Sequence, residues 1–125
     1  MGSQDVELMA HMMRRVGFGA HQDEIDAMLP KGYEIAVEEM ISGPDVVEYL
    51  PDDVVMRFHV DMNELRFTTS SAGYWLYRMI TTNYPMQEKI ALFWHGIFAT
   101  AYSKLNQARS LLNQIDMFRN FGMGS

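Results

Sequence analysis

Apolar residues recur every three or four positions along almost the whole chain, which is the period of an amphipathic helix. In SQDVELMAHMMRRVG, Leu8, Met9, Met12, Met13 and Val16 fall on one stripe. Ser3 or Asp5 is placed to cap its start, and Gly17 to end it. HQDEIDAMLP sets Ile25, Met28 and Leu29 on one face behind an acidic first turn, and Pro30 stops the run. KGYEIAVEEMISGP repeats the pattern with Tyr33, Ala36, Val37, Met40 and Ile41 and closes on Gly43 and Pro44. These three elements are spaced as in helical hairpins joined by short turns.

From Pro44 to Ser71 the pattern weakens, because turn residues mix with β-branched pairs. A helix through VVMRFHVDMNELRF is favoured there, with a short strand pair around Val54 to Val60 as the alternative. Beyond it, SSAGYWLYRMITT reads as a short aromatic helix containing Tyr74, Trp75, Tyr77, Arg78, Met79 and Ile80. Pro85 suits the first position of the next helix, with Glu88 in its opening turn. The last element aligns Leu111, Leu112, Ile115, Phe118 and, more loosely, Phe121.

The stretch Lys89 to Lys104 has no charge between its two ends. Ile90, Phe93, Trp94, Ile97, Phe98, Ala101 and Leu105 make one broad apolar stripe, flanked by Ala91, Leu92, His95, Ala99 and Tyr102. A helix apolar nearly all round is a central one. Gly96 inside it costs about 1 kcal/mol relative to alanine, and the expected return is close approach of a neighbouring backbone. A buried His95 needs a hydrogen-bond partner, such as a carbonyl, Tyr102 or a carboxylate. The expected fold is all-α: an irregular bundle of about five to seven helices around a central apolar helix near residues 86–104, in a single domain.

Composition narrows the function classes. Sixteen acidic against ten basic residues give a net charge of -6. Without a positive face, binding to nucleic acid is not expected. No cysteine is present, which removes disulfides, zinc–thiolate sites and a cysteine nucleophile together. The start shows no basic segment followed by an apolar one, so no signal peptide is visible. Residues 90–103 are too few to span a bilayer. Twelve methionines, mostly at stripe positions, read first as flexible core filler and second as adaptable partner surface.

Three segments, LMAHMMRRVGFGA, RMITTNYPMQEKIALFWHGIFATAYSK and NQIDMFRNFGMG, together resemble the amino-terminal part of the bacterial family DUF1800, a domain of unknown function. The resemblance covers roughly residues 5–42 and 75–123. It implies a helix ending in Arg-Arg-x-Gly-Phe-Gly and a later Glu-Lys-x-x-x-Phe-Trp-His segment. It also implies a longer bacterial parent chain, often exported, with no established activity. Where family members often carry a second histidine, two places after the first, this chain has Ile97. The family continues past FGMGS into further helices, so the chain is expected to be the amino-terminal part of a longer member.

Each candidate site has a structural and a chemical reading. His95, beside Trp94, is a buried core histidine or a functional group in a longer parent. No His-x-x-x-His or His-Glu-x-x-His spacing supports a metal site, and no cofactor motif is present. His11, His21 and His59 are scattered. Arg14, Arg15, Gly17, Phe18 and Gly19 form a helix stop or an anion site. Glu88 and Lys89 read most simply as a helix-end charge pair. Asp52, Asp53, Asp61 and Glu64 look like an acidic surface rather than a glycosidase pair. The expectation is a structural or interaction module without a complete active site. Its aromatic face (Tyr74, Trp75, Tyr77, Phe93, Trp94) would dock on the rest of a longer chain or on a protein partner. The alternative is part of an exported enzyme to which Arg14, Arg15 and His95 contribute.

Overall fold

A computed structural model of the chain describes residues 2–43, 68–100, 102–105 and 107–124. Among these the fold is all-α. Helix α1 spans Ser3–Val16, α2 Gln22–Met28 and α3 Tyr33–Ser42, with a turn of 3-10 helix at Leu29–Lys31 between the last two. After the segment that lies outside the described residues come α4 (Thr68–Thr81), α5 (Pro85–Ile97), the single-turn α6 (Tyr102–Leu105) and α7 (Ala108–Phe121). The helix expected over residues 54–67 and its alternative, a strand pair around Val54 to Val60, fall outside the described residues, as do His59, Asp52, Asp53, Asp61 and Glu64.

Local signals place most boundaries. The cap of α1 is Gly2 rather than Ser3 or Asp5; Asp5, in the first turn, accepts the Gly2 backbone N–H at 3.0 Å with its carboxylate. Pro85 opens α5, where its missing N–H costs nothing. α2 starts behind a reciprocal cap in which Glu24 accepts the His21 N–H at 2.7 Å.

Two apolar clusters form. The first joins α1, α2 and α3 through Met9, Met12, Met13, Val16, Ile25, Ala36 and Met40. Four of these seven are methionine, which agrees with the core-filler reading. The second joins α5 to α7 through Ala91, Ala108, Leu112, Ile115 and Phe118, with Tyr74, Trp75 and Trp94 packed against it. The amino-terminal end of α5 links the two, since Met86 packs on the first cluster while Ala91 belongs to the second.

α5 is central but differs from expectation in three ways. It ends at Ile97 rather than near 104. Beyond it the Thr100 hydroxyl lies 3.3 Å from the Phe98 carbonyl and 3.2 Å from Gln114 Oε1. A side chain that bonds backbone in this way competes with helix continuation. The second difference is in which face is buried: Glu88 and Ala91 point inward, while Leu92, Phe93, Ile97 and Phe98 are exposed. Apolar periodicity identified the richer stripe, but the ion pairs of Glu88 set the rotation of the helix. Third, Gly96 is exposed, with nothing within 4 Å of where a Cβ would stand. The close approaches lie at Gly17, whose added Cβ would stand 2.9 Å from Pro85 Cβ, and at Gly122, where it would stand 2.8 Å from Trp94 Cδ1.

Candidate functional site

The strongest gathering of charge lies where three helix ends meet. Glu88 sits in the first turn of α5, and Arg78 and Arg119 in the last turns of α4 and α7. Each charge thus complements the dipole of its own helix. Glu88 is 1% exposed, Arg78 2% and Arg119 3%. Glu88 Oε1 accepts Arg78 Nε at 2.8 Å and Arg119 Nε at 2.5 Å; Oε2 accepts Arg119 Nη2 at 2.9 Å and the Trp75 indole N–H at 2.9 Å. Arg119 Nη1 also donates to Asp116. The bidentate fork of Arg119 makes the geometry specific.

Burial by itself would raise the carboxyl pKa of Glu88. The hydrogen bonds and charges of Arg119, and then of Arg78, outweigh it and hold the group below its ordinary value. Burial would likewise lower Arg119, but Glu88, Asp116 and Tyr74 raise it. Among the described residues, two carboxylates face two guanidiniums, so their charges balance. A carboxylate with both oxygens occupied and its proton affinity depressed is a poor general acid or base near neutral pH. It ties α4, α5 and α7 together.

Glu88 and Lys89 do not pair with each other: successive helical positions face different neighbours, and Lys89 turns to α1. Its Nζ donates to the carbonyls of Arg14 at 2.7 Å and Gly17 at 2.5 Å, and lies 5.9 Å from the Phe18 ring centroid. The last carbonyls of a helix lack partners within it, and here a cation supplies one. The Arg14-to-Gly19 turn therefore offers oxygen atoms to a positive charge, the opposite of what an anion site needs. Arg14 and Arg15 are exposed. Gly19 has φ +115°, a conformation glycine adopts without strain.

Trp94 is half-buried and donates its indole N–H to the Gly122 carbonyl at 2.8 Å. A ladder of rings continues from it, with Phe98 stacked on Trp94 at 5.7 Å and on Phe118 at 6.1 Å. His95 is half-buried and meets the Trp75 ring edge-on at 5.3 Å. The partner expected for its imidazole is not found: Nδ1 is enclosed without a hydrogen bond among the described residues. His11 and His21 are exposed.

An open groove of about 800 Å³ runs along Met13, Phe18, Met28, Met40, Leu76 and Met79. A second, of about 590 Å³, adjoins it at Met28, Lys31, Met40 and Asn83. Neither is lined by His95, Arg14 or Arg15, so neither brings the histidine and the arginines together. Among the described residues no three His, Asp or Glu side chains gather as metal ligands. No helix among them is long and apolar enough to cross a membrane.

A family model described as "Protein of unknown function (DUF1800)" matches residues 11–125. The chain belongs to the DUF1800 family. No curated protein and no solved structure matches it. Within this DUF1800 chain, two segments far apart in sequence, Arg14–Gly19 and Pro85–His95, are clasped by Lys89 and by the close approach of Gly17 to Pro85. Sequence reading missed Arg78, Arg119 and Asp116 as partners of Glu88. The available signal was an acid in a first helical turn and arginines in two last turns.

Proposed function

We propose that this DUF1800 chain is a helical structural and interaction module, the amino-terminal part of a longer bacterial family member, without a complete active site of its own. The observation that carries the reading is the division of α5. Its polar side is closed, Glu88 being fully bonded inward, while Phe93 and Ile97 on the other side are 57% and 56% exposed. Exposed apolar side chains grouped on one helix suit contact with more protein. The occupant is the rest of the parent chain or a protein partner. Neither nucleic acid, with a net charge of -6, nor a cofactor forms part of the reading. Replacing Phe93 and Ile97 together by glutamine tests it. The isolated chain should keep its melting temperature, while a parent containing it should lose several degrees. Equal melting temperatures in the two parents would count against the module.

The second reading is part of an exported enzyme whose site is completed by further sequence. It rests on His95, whose half-open imidazole keeps a nitrogen unmatched among the described residues. In a parent with measurable turnover, His95→Leu would separate the two. Loss of folding supports the structural role, and normal folding with lost turnover supports the chemical one.

A further inference from the structure

Two enclosed side-chain atoms on facing helices lack a partner among the described residues: the Ser71 hydroxyl and His95 Nδ1. Ser71, on α4, is 8% exposed. The Arg78–Glu88 bond fixes the register of α4 against α5. Ser71 lies seven residues before Arg78, and His95 seven after Glu88. Seven residues are about two turns and return to the same face. Thr81 and Pro85 bound a short connection between the two helices, so both steps lead away from that connection. Trp75 spans the interval, reaching Glu88 with its N–H and His95 with its ring. An enclosed polar atom left without a partner is destabilising.

We propose that Ser71 and His95 form a pair bridged by one water molecule, with His95 Nδ1–H as donor and the Ser71 hydroxyl oxygen as the final acceptor. Only Nδ1 of the two ring nitrogens is enclosed. Nε2 is not among the enclosed atoms, and with the proton on Nδ1 it carries the lone pair. Ser71 is a positioning residue that sets the imidazole tautomer. Nε2 is an acceptor for a hydroxyl or N–H of whatever packs on α5. This pairing does not depend on what that occupant is.

Nitrogen-15 NMR of the histidine side chains in the 125-residue chain, at a pH where imidazoles are neutral, tests the pair, with exposed His11 and His21 as internal references. The expected result is a dominant Nδ1–H form at His95. In Ser71→Ala the ratio of Nδ1–H to Nε2–H should fall about tenfold, the effect of one ordinary hydrogen bond. Ser71→Thr, which keeps a hydroxyl, should retain the wild-type ratio. A dominant Nε2–H form in the wild type would overturn the proposal, whether or not the alanine variant folds. So would an unchanged ratio in Ser71→Ala, or loss of the Nδ1–H form in Ser71→Thr.

Discussion

Glu88 shows how a single acid can fix a helix. Its carboxyl is held below the ordinary carboxylate value of 4.5 in the folded chain, so as pH falls the unfolded chain binds the proton first. The stabilisation is complete above about pH 4.5 and drains away as pH drops through the folded value. Urea unfolding measured stepwise downward from pH 6 should show this loss in the wild type. The loss should be smaller in Glu88→Gln, and equal slopes would show that other carboxylates dominate. Lys89 does a second job one residue on. Lys89→Met should cost about 1–3 kcal/mol by leaving the carbonyls of Arg14 and Gly17 without their donor. Equilibrium unfolding reads that cost directly.

Glycines separate the expected contacts of the helices from the observed ones. Gly17→Ala would press a Cβ against Pro85 and should destabilise by about 1–3 kcal/mol. Gly96→Ala, in open space on α5, should instead stabilise by up to about 1 kcal/mol. Thermal melts of the two variants should move in opposite directions. α1, α2, α3 and α7 were legible in the sequence because the buried residues of each lie on its apolar stripe, and Gly17 and Gly43 close α1 and α3 where expected. α5 was legible as a helix but not in its rotation. The burial of Glu88 depends on Arg78 and Arg119, ten residues before it and thirty-one after it, and periodicity carries no term for an ion pair between helices. The break after Ile97 was hidden for a related reason: apolar spacing continues through it in the sequence, while the Thr100 hydroxyl turns to nearby acceptors.

At the scale of the molecule, two small cores meet along the start of α5, one rich in methionine and one in aromatic and aliphatic residues. Neither arginine nor histidine from the sequence-derived site lines the large grooves. The charged residues that do converge are closed around Glu88. That closure makes the cluster a structural centre of this DUF1800 chain. A buried ion pair adds little when compared with an apolar replacement of the whole set, but removing one member leaves uncompensated charge. The most direct measurement is therefore the urea midpoint of Glu88→Gln against the wild type at pH 7, followed by far-ultraviolet circular dichroism. A structural centre predicts a loss of about 3–5 kcal/mol. A change within about 0.5 kcal/mol, the range of ordinary surface substitutions, would contradict it.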